Sequence, residues 1–92
     1  MDLPDRITTV HTLETPLEQI RGVIGRYPSP TEAYVFDFQS SRCRGVHMIG
    51  VPRPLTVAWY TDGTEVATQQ LDPWVGIASN TCDTIVEYCP KE

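Results

Sequence analysis

Leu55-Thr56-Val57-Ala58-Trp59-Tyr60-Thr61-Asp62-Gly63-Thr64-Glu65-Val66-Ala67-Thr68 is a run of β-branched and aromatic residues broken by Asp62-Gly63. Such residues suit a pleated, half-buried surface. Asp-Gly supplies the two positive φ angles of a type I′ turn, whose twist matches that of the strands it joins. The run therefore predicts a β-hairpin. With Asp62 and Gly63 as the turn, Trp59 lies opposite Val66 and Ala58 opposite Ala67, which places Val57, Trp59 and Val66 on one core face.

Working outward, Tyr34, Phe36 and Phe38 alternate with Val35 and Asp37, a strand with an inward aromatic face. Gly45 to Ile49 form a further strand, closed by Gly50 and Pro52. Beyond the hairpin, Leu71-Asp72-Pro73-Trp74 read as a loop. Asp83 to Cys89 read as a last strand with Ile85, Glu87 and Cys89 on one side. Arg6 to Leu13, rich in β-branched residues, form the first strand.

Between the first two strands, Thr15-Pro16-Leu17-Glu18 has the form of a capping box with proline at the first helical position. Leu17, Ile20 and Ile24 recur at helical spacing, and Gly25 suits a left-handed C-terminal cap. One short helix is expected over about Pro16 to Ile24. Tyr27-Pro28-Ser29-Pro30 follows as a rigid connector, because each proline fixes its own φ and restricts the residue before it. The expected fold class is α+β and strand-dominated: a compact antiparallel β-sheet or partly closed barrel, with one short helix near the N-terminus. Residues 6–92 form a single domain after a loose lead-in at 1–5, a length that suffices for one hydrophobic core.

Seven basic residues against twelve acidic ones give a net charge of −5, and the arginines are scattered from Arg6 to Arg53. No basic face is visible that would displace phosphate counterions, so no nucleic-acid partner is expected. No apolar run approaches the roughly 20 residues that span a bilayer, and the N-terminus lacks the regions of a signal peptide. No membrane association and a cytoplasmic location follow as expectations, with the chain a monomer or weak homodimer. Three cysteines, Cys43, Cys82 and Cys89, leave at least one thiol free. In a reducing compartment Cys82 and Cys89 are expected to stay unpaired as well.

Several residue pairs invite a chemical reading. Cys43 and His47 are natural zinc ligands, but four residues apart on a strand they lie roughly 13 Å from each other. No metal and no cofactor are therefore expected. A Cys–His nucleophilic pair would need the two side chains brought together by the fold, and nothing in the sequence does so. Asp62 is taken by the turn and Asp72 precedes a proline, so no catalytic residue is assigned. Trp74 sits in a proline-anchored loop, where an exposed aromatic contacts ligands or partners; capping one end of the core is the favoured alternative. Trp74, Arg53 and His47 are the expected contacts for a ligand or partner.

Taken in order, Arg21-Gly22-Val23-Ile24-Gly25-Arg26, Phe36-Asp37-Phe38, His47-Met48, Pro54-Leu55, the Asp62-Gly63 hairpin and Ile85-Val86-Glu87-Tyr88-Cys89-Pro90 form a series. This series resembles domain-of-unknown-function family 192 over about residues 14–90. The stretch His47 to Val51 lacks most of that family's polar signature, so the chain resembles a divergent member. The resemblance implies a compact, strand-dominated fold with a small helix and no established activity.

The expected function is a small non-catalytic binding or interaction module for an unknown small molecule or protein, acting through Trp74 and the loop from Val51 to Pro54. The alternative is a small, hydrolase-like enzyme using Glu87 or a cysteine, which a pocket enclosing two or more titratable side chains would favour. Glu87 stands among residues suited to burial and needs a partner there. Arg21 and Arg26 are the candidates, in a salt bridge tying the helix end to the last strand. On that reading Glu87→Gln lowers stability.

Overall fold

The computed structural model describes residues 3–14, 19–21 and 27–90, with side chains for all of these except 19–21. Six strands are present among them: β1 (Thr9–Glu14), β2 (Gln19–Arg21), β3 (Glu32–His47), β4 (Leu55–Thr61), β5 (Thr64–Leu71) and β6 (Ile77–Tyr88). They form one sheet in the order β1-β3-β6-β4-β5, with β2 also pairing with β3. β1 and β2 run parallel to the two ends of β3, and the remaining pairs are antiparallel. The sheet is thus open and mixed, where an antiparallel sheet or a partly closed barrel was expected.

The expected helix is corrected as well, because no helix occurs among the described residues. Gln19–Arg21, in its middle, are extended and pair with Gly45, Val46 and His47. Thr15–Glu18, which carry the capping box, and residues 22–26 lie outside the described residues. A cap and a helical spacing are local preferences; here the free edge of β3 supplies the backbone partners of 19–21 instead.

β3 joins two strands expected separately. Its sixteen residues would run roughly 50 Å if straight, whereas the longest dimension of the molecule is 31 Å. The strand must bend, and it does so between Asp37, opposite Thr84, and Arg42, opposite Cys82, where residues 38–41 stand against Asp83 alone. Gln39 there adopts a left-handed φ of 65°. The bend lets Val46 and Met48 join Phe36, Leu55, Val57, Trp59, Leu71 and Ile85 in the main core cluster.

Arg44 holds the bend. It is buried and its guanidinium lies 4.2 Å from the centre of the Phe38 ring. One terminal nitrogen donates to the carbonyls of Ser40 and Cys82, each at 2.6 Å. The Arg44 carbonyl in turn accepts from the Trp59 indole N–H at 3.2 Å. One buried residue thus ties three parts together: its guanidinium links the bulge to β6, and its carbonyl holds the central tryptophan.

The hairpin forms as expected at its turn, with φ of 50° at Asp62 and 77° at Gly63. Its register then departs by one residue. Tyr60 pairs with Glu65 but Trp59 with Ala67, so Val66 is bulged out and half of its surface stays exposed. Val57 and Trp59 are in the core; Val66, assigned to the same face, is not. A β-bulge inserts one unpaired residue and flips the alternation beyond it, which no pattern in the hairpin sequence announces.

The sheet's other face carries a smaller cluster of Ala33, Val35, Ala58, Tyr60 and Val86, against which Leu3 and Ile7 pack. Leu3, in the segment expected to be loose, is therefore attached to the sheet. Arg6 extends from this segment to donate to the carbonyls of Pro30 and Cys89.

All three cysteines are free. Cys82 and Cys89 are seven residues apart along one extended run, roughly 20 Å, far beyond the separation a disulfide spans. Cys43 is exposed while Cys82 and Cys89 are buried, and burial pushes the Cys82 thiol up, partly offset by the Arg44 charge. Titration of the native protein with a thiol reagent is expected to modify Cys43 rapidly and the other two only on unfolding. Loss of thiols from the unfolded, unreduced chain would contradict this arrangement.

Candidate functional site

Two loops meet at one end of the bent sheet: residues 48–54, which join β3 to β4, and residues 72–76, which join β5 to β6. The Met48 N–H donates to the Gly76 carbonyl at 2.9 Å, and the Trp74 N–H donates to the Val51 carbonyl at 3.0 Å. The second loop is a tight turn closed by the Gly76 N–H on the Asp72 carbonyl at 3.0 Å. Only glycine fits there, since a Cβ at position 76 would lie 2.7 Å from the Asp72 oxygen.

This locked pair of loops presents a patch of apolar side chains to solvent. Ile49 is 70% exposed, Trp74 57%, Val75 78% and Ile77 66%. Trp74 also has a φ of 67°, a region that bulky residues enter only at an energetic cost. The ring therefore does not cap the core, contrary to the favoured expectation; the turn holds it outward. Of the other two expected contacts, His47 is half-buried at the end of β3, between Arg21 and Ile77, with its Nδ1 buried and unbonded. Arg53 lines a cleft, its guanidinium 4.6 Å from the centre of the Tyr27 ring. Trp74 and the His47 backbone thus belong to one end, and Arg53 to a neighbouring cleft.

That cleft has a volume of about 700 Å³ and is lined by Arg6, Tyr27, Glu32, Arg53, Gln70 and Cys89 together with several prolines. The Tyr27 hydroxyl donates to the Pro54 carbonyl. Glu32 accepts from the Ser29 amide at 3.0 Å and bonds His11 Nε2 at 2.8 Å. Cys89 Sγ lies 3.7 Å from an Arg6 nitrogen. None of the cleft beyond Arg53 was foreseen, because its walls come from five separate parts of the chain.

The cleft does enclose titratable groups, which raises the enzymatic alternative. Its carboxylate, however, is already engaged on both oxygens. Its thiol is on the run continuing β6 and His11 is on β1, with β3 between them, a separation of about 10 Å. No thiolate–imidazole pair is assembled there. Among the described residues no group of His, Cys, Asp or Glu side chains is arranged to hold a metal ion.

Glu87 is fully buried, between Tyr34 on β3 and Val57 on β4. The expected bridge to Arg21 or Arg26 falls on groups outside the described ones; among the described residues both carboxylate oxygens are without a hydrogen-bond partner. Burial alone acts on the group and holds its pKa well above the usual carboxylate range. Arg26 and the Arg21 side chain are not among the described groups. Glu87 lies outside the cleft lining.

No family model, curated protein or solved structure matches the chain.

Proposed function

We propose that the protein is a non-catalytic interaction module that docks a protein partner through the apolar end formed by Ile49, Trp74, Val75 and Ile77. The observation that carries this reading is Trp74, an indole more than half exposed on a left-handed backbone within a turn locked to the facing loop. Strain of this kind is retained where surrounding structure enforces it and function uses it. An exposed aromatic accompanied by exposed aliphatic side chains on the joined loops has the composition of an interface hot spot. A rigid presentation lowers the ordering cost of association.

The occupant is a protein rather than a lipid surface because the chain carries a net charge of −5, which opposes approach to anionic membranes. The resemblance to family 192 brings no activity with it, so the reading stands on the site.

Placing a photo-reactive amino acid at position 74 tests it. Irradiation in the native extract is expected to give a discrete heterologous protein adduct that Ile49→Ser suppresses and that a probe at Thr68 on β5 does not form. The tryptophan emission of a Trp59→Phe variant should remain unshifted by vesicles. Adducts confined to lipid or to a second copy of the chain, or identical from both positions, would overturn the proposal.

A further inference from the structure

We infer that the cleft beside this end is a second binding site, one that takes a monocarboxylate with a flat or aliphatic body. The inference is independent of the docking surface and uses none of its side chains.

Four prolines, Pro28, Pro30, Pro54 and Pro90, line the cleft along with Tyr27. Proline has a fixed φ and no N–H, so these walls are pre-shaped and offer apolar surface without donors. A volume of about 700 Å³ lies within the range of small-molecule pockets. The apolar walls and the size together select a ligand with an apolar body.

Polar recognition then falls to side chains. The Ser29 amide is already given to Glu32 and both terminal nitrogens of Arg6 to carbonyls, which leaves Arg53, Gln70 and the Ser29 hydroxyl as side-chain donors, with Arg6 contributing its charge. Neither arginine pairs with a carboxylate among the described residues. Arg6 donates to two neutral carbonyls, so its charge is uncompensated, and its Nε is buried without an acceptor. Arg53 is stacked on Tyr27, which fixes the plane of its guanidinium and leaves the fork's edge for a ligand. Planar forks of this kind match carboxylates bidentately. The walls therefore carry two cations against Glu32, a local excess of positive charge in a chain of net charge −5. Glu32 limits that excess, which favours a monoanion over a dianion such as phosphate.

Amide-resolved NMR titration tests the assignment with benzoate and octanoate as probes, benzamide as the neutral isostere of benzoate, and inorganic phosphate as the competing anion. Saturable shifts are expected at the amides of Tyr27, Ser29, Thr31 and Glu32, at Pro54's neighbours and at the Gln70 side-chain amide, with benzoate binding about tenfold or more tighter than benzamide. Arg53→Gln alters an exposed side chain, so the fold survives, and it should weaken both carboxylates about tenfold; Trp74→Ala should leave them unchanged. Equal affinity for benzoate and benzamide, tighter binding of phosphate, no effect of Arg53→Gln, or no saturation by either carboxylate would each overturn the site.

Discussion

Trp59→Ala is expected to cost about 3–5 kcal/mol of folding stability, the largest loss from any single truncation in the protein. The indole is fully buried in the main cluster. Removing it leaves a cavity in that cluster and takes away the N–H that donates to the Arg44 carbonyl. A domain of this size has total stability of the same order, about 5–10 kcal/mol, so the variant should be partly unfolded at 37 °C. Urea denaturation monitored by far-UV circular dichroism reads this directly. Trp59→Phe restores most of the volume without the N–H and should recover more than half of the loss. A midpoint for Trp59→Ala close to that of the wild type would show that Trp59 does not organise the core.

The second large effect has the opposite sign. Folding raises the proton affinity of Glu87 above its usual value of 4.5, through burial alone. The stability Glu87 contributes is therefore fully present below that pH, where the folded and unfolded chains both hold the proton. It is lost as the pH rises through the folded pKa, because the unfolded carboxyl ionises while the buried one resists. Glu87→Gln should remove this decline, giving a flatter stability profile from pH 5 upward. Glu87→Met, apolar and of similar length, should be more stable than the wild type at pH 8 by about 2 kcal/mol or more. This reverses the destabilisation expected when Glu87 was assigned a salt bridge. Measured loss of stability in both variants at pH 8 would mean that the carboxylate is paired after all.

What was legible in the sequence divides along the range of the interactions. The Asp62-Gly63 turn, the alternation of Tyr34, Phe36 and Phe38, and the burial of Trp59 and Ile85 are determined by neighbours a few residues away. Helical spacing in residues 16–24 is equally local, and it misled, because the decisive partner of Gln19–Arg21 is the edge of β3 some twenty-five residues later. The two bulges were invisible for a related reason. Each shifts parity by inserting residues whose own types are unremarkable, Val66 in one case and residues 38–41 in the other. Arg44 was missed for a different reason: alternation puts it on the face of Val46 and Met48, but within Ser40-Ser41-Arg42-Cys43-Arg44 it reads as part of a polar surface run.

The site was legible in its residues more than in its arrangement. Trp74 was singled out from its proline-anchored loop, although Asp72 and Gly76, which close the turn and force it outward, were not. Arg53 was singled out too, but its stack on Tyr27 depends on the connector at 27–30 being carried across to the start of β4. The cleft carries no motif because residues 6, 27–32, 53–54, 70 and 89–90 meet only through the sheet order.

The affinity of the cross-linked partner for purified wild-type protein and for Trp74→Ala, measured by calorimetry alongside the unfolding curve of each, tests the docking surface most directly. Trp74→Ala should weaken binding by about tenfold or more, while its stability stays within about 0.5 kcal/mol of wild type, as befits an exposed side chain. Undiminished affinity in Trp74→Ala, or a loss of affinity that only follows a loss of fold, would contradict the account.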